Sequence, residues 1–383
     1  MEVICPKETP STAVNRHVSE AQPAVASTYC VTKFTALSDS DFADWHAIRS
    51  SHVRYRSPFF SVDFIAAVER AVPGVEVALL RRGGKIVALL PFRRVGKNRA
   101  RPVGAGINDA HGLLADESYL DGMEDFLKQA GLRDFLFHAS PTDAPGVERF
   151  AVGTTRAFLA DLTVDPKGYE HFLRGRNRTI DKQGQKSRKL GREIGALRFD
   201  FDCRDPAILR RLIELKRQQY QRTHTFDILG VDWIQRMLYS QFSERSEQVK
   251  GLLSVLYAGN TPVAMHYGML DGDLLHYWFP VFDPEYSFGS PGTQLFLDVA
   301  REAAERGVTA IDMGYGEQAY KHKLTNVISE MSYGLVDENA LRRWRYRCGL
   351  AMAAAVKEWR LRETLKPVAR RLMPTFGVGQ YRS

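Results

Sequence analysis

The segment from residue 249 to residue 323 constrains the fold of this chain more than any other. Three β-rich runs separated by turn signals predict an antiparallel meander. A glycine-rich loop, a helix and one more short β-rich run follow the third strand. The predicted strands cover residues 252–257, 263–270, 274–282 and 310–313, and the predicted helix ends near residue 306. This order predicts a mixed α/β domain with a strand-to-helix turn after the meander.

The turn between the third strand and the helix is a candidate phosphate site. Its sequence is Asp283-Pro284-Glu285-Tyr286-Ser287-Phe288-Gly289-Ser290-Pro291-Gly292-Thr293. The start of a helix leaves backbone N–H groups unpaired and carries partial positive charge, so it favours an anion. Glycine allows the backbone to approach such a ligand closely. We therefore predict a diphosphate-bearing cofactor at this turn, with the N–H groups of Gly292 and Thr293 available as donors; an ordinary helix cap is the alternative.

A second candidate region is the polar loop that follows the last of these strands. It runs from Asp312 through Glu317 and Tyr320 to Lys321. Ligand crevices in α/β folds lie at the C-terminal ends of strands, which is where this loop begins. We expect Asp312 to orient the loop by accepting backbone hydrogen bonds. A solvated loop with a structural aspartate is the alternative interpretation.

Two histidines, His266 and His276, lie on adjacent predicted strands. His276 shares a strand face with Leu274 and Trp278. A lone histidine on an apolar strand is more often a core residue than a catalytic one. His276 nevertheless stays among the candidate catalytic residues.

A stripe of basic residues follows one face of a helix predicted over residues 166–193. Arg174, Arg178, Lys182 and Lys186 recur at four-residue spacing, which places them along one side of a helix. The stripe is either a solvated face or a docking surface for an anionic acceptor. It lacks interleaved aromatic residues, so nucleic acid is an unlikely partner.

The length of the chain predicts more than one domain. At 383 residues it exceeds the usual size of a single hydrophobic core. We predict a flexible tail over residues 1–28, an N-terminal domain over 29–153, a C-terminal domain over 154–337, and a basic C-terminal helix and tail over 338–383.

Cysteine usage and apolar runs indicate a cytoplasmic protein without a metal centre. The four cysteines lie far apart in sequence, which excludes a CxxC motif and gives no disulfide framework. The first residues do not form a signal peptide, and the apolar run at residues 349–356 is far shorter than the roughly 20 residues of a membrane helix.

Positive charge is concentrated near the C-terminus. The formal net charge of the chain is +8, while residues 341–383 contain eleven Arg or Lys and two Glu, which gives that tail +9 and the remainder −1. Trp344 and Trp359 lie among the arginines. This composition favours peripheral contact with an anionic inner membrane surface; a helix packed across the domain is the alternative.

An ordered set of short motifs resembles one branch of the GNAT acyltransferase superfamily. The set comprises Gly259-Asn260-Thr261-Pro262-Val263-Ala264, Phe282-Asp283-Pro284, Ser290-Pro291-Gly292, Ile311-Asp312-Met313-Gly314 and Gly316-Glu317-Gln318-Ala319-Tyr320-Lys321. Together they resemble the CelD/BcsL-type proteins of bacterial polysaccharide biosynthesis over about residues 160–335. A weaker likeness covers residues 55–115.

The resemblance implies two tandem GNAT-like domains, each with a mixed, partly antiparallel sheet flanked by helices. It also implies acetyl-CoA or another acyl-CoA as donor, bound through Tyr286, Gly289, Ser290, Gly292 and Thr293. GNAT proteins usually carry Arg or Gln at the position of Tyr286, and Pro291 removes one N–H donor, so this turn departs from the family pattern.

The resemblance also suggests roles for the polar loop. Acyl transfer needs a base for the acceptor proton and an acid for the leaving thiolate. On this reading Glu317 is the base and Tyr320 the acid, while Asp312 and His276 complete the catalytic set. Lys321 holds an anionic acceptor or a phosphate. The acceptor is a sugar or polysaccharide precursor, free or lipid-linked, and Arg174, Arg178 and Lys182 assist in binding it.

Two other functions stay open on the sequence alone. Fem-type peptidoglycan aminoacyltransferases are similar in layout, which suggests aminoacyl-tRNA as an alternative donor. The chain could also be a non-catalytic partner of a membrane polysaccharide assembly complex. We favour direct acyl transfer, because no nucleophilic cysteine or serine motif is present.

Overall fold

The structure of the chain, a computed structural model, describes residues 27–119, 122–244, 246 and 248–358. Most of the predicted N-terminal tail lies outside these residues, and so does the C-terminal Trp359. No helix in the described ranges combines the length and the apolar character that crossing a membrane requires.

Thirteen strands form one large mixed sheet among the described residues. They are β1 (Ser27–Lys33), β2 (Val75–Arg82), β3 (Lys85–Val95), β4 (Arg99–Pro102), β5 (Leu114–Ala115), β6 (Asp134–Pro141), β7 (Ala151–Asp161), β8 (Leu197–Asp200), β9 (Val249–Ala258), β10 (Thr261–Asp271), β11 (Leu274–Phe282), β12 (Ala310–Tyr315) and β13 (Val327–Asp337). The order across the sheet is β1-β2-β3-β4-β6-β13-β7-β12-β11-β10-β9-β8, and β5 pairs with β3.

The two halves of the sheet repeat the same pattern. In the first half β1 to β4 are antiparallel, and β4 is parallel to β6. In the second half β8 to β11 are antiparallel, and β11 is parallel to β12. The halves also exchange their last strands. In sequence β7 follows β6 and β13 follows β12, yet β7 pairs with β12 and β13 pairs with β6. This repeat confirms the predicted tandem α/β architecture.

Helices cover both faces of the sheet. They are α1 (Asp39–Ser51), α2 (Val62–Ala71), α3 (Met123–Gln129), α4 (Tyr169–Arg176), α5 (Arg178–Asp181), α6 (Gln183–Glu193), α7 (Pro206–Arg222), α8 (Asp232–Ser243), α9 (Pro291–Glu305), α10 (Ala319–Leu324) and α11 (Ala340–Glu358). Side chains of α1, α2, α7 and α8 join one hydrophobic cluster that spans both halves. On the opposite face, α3 covers the first half and α4, α6 and α9 cover the second.

The predicted meander is present, and β2 and β3 form a further hairpin. The turn between β2 and β3 has two central residues, Gly83 and Gly84, with φ of 58° and 86°. Positive φ at both positions suits the type I′ turn that joins twisted antiparallel strands, and glycine adopts it without steric cost.

The prediction of a single helix over residues 166–193 is wrong. Gly168, with φ of 97°, precedes α4, and Asn177 is extended with φ of −139°. The Asn177 side chain accepts a hydrogen bond of 2.9 Å from the Thr179 N–H and so caps α5. Because α4, α5 and α6 are separate helices, the predicted basic stripe does not follow one helical face.

Candidate active site

A cleft of about 320 Å³ opens where β11 meets the start of α9. β11 pairs with β12 only from Leu274 to His276, opposite Ala310 to Asp312. Beyond that point β12 pairs with β7 and β11 stays with β10, so the two strands part. The cleft is lined by Tyr277, Val281, Phe282, Ser290, Gly292 and Thr293 together with Lys216, Gln219, Tyr320 and Leu324. The structure therefore brings the predicted phosphate turn and the predicted polar loop to one cavity.

The start of α9 presents one backbone donor to this cleft. Ser290, the residue before the helix, is left-handed with φ of 48°. The Thr293 N–H donates to the Ser290 carbonyl at 3.0 Å, so the prediction that this donor is available is wrong. Among the described residues, the Gly292 N–H has no hydrogen-bond acceptor. A Cβ atom at Gly292 would stand 3.3 Å from the Phe282 ring, which is why a small residue suits this wall of the cleft.

Two other residues of the predicted phosphate turn do not line the cleft. Gly289 is buried against α6, where a Cβ atom would stand 2.9 Å from the Leu190 side chain. Its carbonyl accepts a hydrogen bond of 3.1 Å from the Gln183 side chain. Tyr286 packs at the edge of the hydrophobic core under α9. In this geometry both residues shape the turn and do not face a ligand in the cleft.

Only one member of the predicted basic stripe contacts the turn. The Lys186 ammonium donates to the Ser290 hydroxyl at 2.9 Å. Arg174 instead forms an ion pair of 2.7 Å with Glu170 on α4. Arg178 lies on α5 and Lys182 follows it, both exposed. The structure therefore does not assemble Arg174, Arg178 and Lys182 into a docking strip.

Tyr320 is the residue of the polar loop that reaches the cleft. It lies on α10 and is 40% exposed. Burial of the phenol, together with the nearby Asp109 carboxylate, raises the pKa of Tyr320 to about 12. The phenol therefore keeps its proton at neutral pH and can donate it.

Glu317 does not reach the cleft. Its carboxylate forms ion pairs with Arg156 at 3.1 Å and with His322 at 2.9 Å, and about half of its side chain is exposed. Tyr320 lines the cleft, whereas Glu317 does not. This geometry argues against Glu317 as the base of a reaction in the cleft.

Lys321 is a buried structural residue in this fold. Its side chain is 4% exposed, and its ammonium donates to the carbonyls of Gly314 at 3.2 Å and Tyr315 at 2.7 Å. Burial lowers the pKa of Lys321, and the negative charges of Asp109 and Asp312 partly offset this decrease. The predicted contact with an anionic acceptor does not fit an amine enclosed in this way.

A buried histidine between two carboxylates lies where β11 and β12 part. The ring of His276 is fully buried; Nδ1 lies 3.1 Å from Asp312 Oδ2 and Nε2 lies 3.3 Å from Asp109 Oδ2. Burial alone would lower the pKa of His276, but the two carboxylates outweigh it and raise that pKa to about 9. Asp312 also accepts the Gly314 N–H at 2.8 Å, as the sequence predicted. His276 is therefore a charged link between the halves.

His266 lies on β10, next to β11, and is a core residue. Its ring is fully buried and stacks on the Tyr277 ring, with centroids 3.9 Å apart. Burial and the positive charge of His276 hold the pKa of His266 well below its usual value, so the ring stays neutral.

Sequence reasoning missed two residues of this site. Lys216 on α7 lines the cleft and donates to the Pro280 carbonyl at 2.7 Å. Burial, with a smaller effect from Lys321, lowers the pKa of Lys216 to about 8. Asp109 comes from a loop of the first half in which Asn108, His111 and Gly112 follow a glycine pair. That polar, glycine-rich run between strands was a usable signal for Asp109, whereas Lys216 lies on an ordinary amphipathic helix.

Comparison with known proteins gives a family match within the second half of the chain. Residues 178–322 match the family described as the acetyltransferase (GNAT) domain. A search of curated proteins gives no significant match. The match confirms the predicted acyltransferase class of the chain, while the CelD/BcsL type stays a prediction.

Several solved structures are similar to the chain at low sequence identity. FemX superposes with a TM-score of 0.52 and 11% identity, covering 77% of this chain and 94% of FemX. A tandem GNAT protein from the clavulanic acid biosynthesis pathway has a TM-score of 0.47 and 11% identity. The match covers 82% of this chain and 99% of that protein. A third structure is the C-terminal DUF2156 domain of a protein from Agrobacterium fabrum that is described as a lysylphosphatidylglycerol synthetase. It has a TM-score of 0.48 and 15% identity, and the match covers 82% of this chain and 97% of that domain. The FemX superposition supports the fold alone.

The charged link at His276 should make stability depend on pH. The folded pKa of about 9 exceeds the ordinary 6.5, so the stabilisation is complete below pH 6.5 and is lost as the pH rises through 9. We expect the free energy of unfolding of Asp109→Asn to fall below that of the wild type by about 1.4 kcal/mol for each pKa unit that Asp109 contributes.

This deficit should shrink as the pH rises from about 6 to above 9, because neutral His276 gains nothing from Asp109. Urea unfolding of both proteins across this range measures it. The comparison cancels the titration of Lys216, which both proteins share. A deficit that does not change with pH would show that Asp109 and a charged His276 are not paired.

Proposed function

We propose that the chain is an acyl-CoA-dependent N- or O-acyltransferase that acts on a sugar or polysaccharide precursor. The observation that carries the proposal is the shared cleft, in which the free Gly292 N–H at the start of α9 and the Tyr320 phenol line one cavity. The matched acetyltransferase domain includes both residues.

The start of α9 fits the diphosphate of a coenzyme A donor. Gly292 offers its N–H, and the helix start adds partial positive charge. Lys186 lies beside it on the Ser290 hydroxyl and adds a full charge. The acyl-CoA supplies an activated thioester when bound. The parted strand β11 then offers backbone groups between Tyr277 and Val281 to orient the thioester carbonyl.

Proton transfer falls to two side chains that line the cleft. Tyr320 holds its phenolic proton at neutral pH and donates it to the departing sulfur. Lys216 has a pKa of about 8 and is therefore partly neutral near physiological pH. Its Nζ accepts the proton of the acceptor amine or hydroxyl as that group attacks. This assignment replaces Glu317, whose ion pairs hold it outside the cleft.

The alternative donor, aminoacyl-tRNA, rested on the basic stripe and on a similar layout. The stripe is divided among α4, α5 and α6, and Arg174 is paired with Glu170. Similarity to FemX concerns the fold and does not identify a donor. A small cleft at a helix start suits a diphosphate and a thioester, so acyl-CoA is the donor we propose.

The first test concerns binding at the start of α9. Gly292→Asp places a carboxylate beside Phe282, where the diphosphate is expected, and should weaken acetyl-CoA binding at least tenfold, about 1.4 kcal/mol. Isothermal titration calorimetry measures it. Gly175→Asp is the control, because a Cβ atom there meets nothing within 4 Å and the residue lies on the helix α4, without a positive φ. Equal acetyl-CoA affinity in both folded variants would show that the donor binds elsewhere.

A second test separates Tyr320 from Glu317. Tyr320→Phe removes the proton donor and should lower turnover about 100-fold while acetyl-CoA affinity is kept. Glu317→Gln should stay within about twofold of the wild type, since its carboxylate lies in a surface ion pair. Release of free thiol from acetyl-CoA in the presence of an amino-sugar acceptor measures both. The opposite ranking of the two variants would restore the assignment made from sequence.

The third test uses the pH dependence of the reaction. If neutral Lys216 is the base, kcat/KM should rise with pH and level off above about pH 8. Lys216→Arg keeps a donor for the Pro280 carbonyl but stays protonated, so it should lose about 100-fold in rate and the inflection with it. Lys323→Gln, an exposed lysine on α10, is the control. An active Lys216→Arg enzyme with the same pH profile would exclude Lys216 as the base.

A further inference from the structure

A second cavity, about 800 Å³ in volume, lies between α11 and the strands β4, β6 and β13. It shares no lining residue with the acyl-transfer cleft. Five arginines and two aspartates contribute to its wall: Arg99, Arg101, Arg133, Arg342, Arg345, Asp134 and Asp337. Five guanidinium groups against two carboxylates leave three positive charges without a compensating group in this wall. We refer to it as the arginine cavity.

The excess charge is visible around Asp134. This carboxylate is 4% exposed, and three arginines contact it: Arg101 at 2.9 Å, Arg133 at 3.0 Å and Arg99 at 3.2 Å. The side chain of Arg101 is itself only 3% exposed. One carboxylate can neutralise one of the three charges, so the cluster attracts a further anion. Planar guanidinium groups bind phosphate oxygens well.

A buried hydroxyl in the same wall has no partner. Tyr346 on α11 is 6% exposed, and its OH finds no hydrogen-bond partner among the described residues. Leaving a buried polar group unpaired costs about 1–3 kcal/mol. Tyr346 lines the cavity together with Arg101, and a phosphate oxygen is the kind of acceptor that its buried hydroxyl lacks. This group is a second, independent sign of a ligand.

The outer side of the arginine cavity is apolar and exposed. Trp344 and Met352 line it and are 60% and 49% exposed, and Leu341 on the same helix is 62% exposed. Spacings of three and eight residues place these three side chains on one face of α11, and Arg345 is on that face too. A large aromatic ring beside arginines is typical of helices that lie at a membrane surface.

We propose that the arginine cavity binds the phosphate headgroup of an anionic membrane lipid, with Trp344 and Met352 entering the lipid interface. The apolar face distinguishes a lipid from a soluble phosphate. The C-terminal residues 359–383 are a poor occupant by charge, since they contain six Arg or Lys and one Glu. The proposal does not depend on the acyl-transfer reaction, so either can fail alone.

The test compares two arginines on one helix. Arg345 lines the cavity, whereas Arg347, also exposed, is two residues away and so lies about 200° round the helix. Full-length protein is titrated with phosphatidylcholine vesicles that contain phosphatidylglycerol. We expect Arg345→Glu to weaken binding about tenfold and Arg347→Glu less than about threefold. General electrostatic attraction would weaken both equally, and that result would overturn the site.

Two further measurements distinguish the sources of the phosphate. Tyr346→Phe should weaken vesicle binding while the unfolding midpoint is unchanged or higher, because the lost hydroxyl has no partner in the protein. Glycerol phosphate should compete with vesicles only at high concentration, since it lacks the apolar part. Equal affinity for glycerol phosphate and for vesicles would show a soluble-anion site and overturn the lipid assignment. So would tRNA binding that is tighter than vesicle binding and is lost in Arg345→Glu.

Discussion

The parting of β11 and β12 after His276 is the constraint on which the site depends. Parallel pairing stops at Asp312, and the gap beyond it becomes the cleft. The buried imidazolium of His276 lies at this branch point between Asp312 and Asp109. Because a buried charge is costly without partners, the charged form of His276 depends on carboxylates from both halves. These ion pairs therefore couple the site to the packing of the two halves.

The two halves share a strand pattern but only the second has the cleft described here. In the first half, the chain after β4 turns back onto β6, where the His111 N–H donates to the Ala139 carbonyl. The His111 ring accepts from the His138 N–H at 3.0 Å. This loop packs on β6 and sends Asp109 to His276 of the second half. The first half therefore supports the site of the second, and Trp278 strengthens the contact by donating to the Ile107 carbonyl at 2.9 Å.

The arginine cavity also depends on the exchange of strands between the halves. β13 ends the second half in sequence yet pairs with β6 of the first, so α11 is carried to the first half of the sheet. That path sets Arg345 and Tyr346 against Arg101 of β4. The basic C-terminal helix and the buried arginines are far apart in sequence, and only the position of β13 makes them neighbours.

The sequence by itself determined the meander, the Gly83-Gly84 turn and the helix start at Pro291, because periodicity and turn chemistry act over a few residues. It also singled out Gly292 and Tyr320, but in two separate candidate regions that only the fold brings to one cleft. Sequence analysis did not predict the helix break at Asn177, although asparagine is a common residue at the start of a helix. The tertiary structure alone decided that Lys216 lines the cleft and that Lys321 is buried. These outcomes depend on pairing between distant strands, which no local pattern specifies.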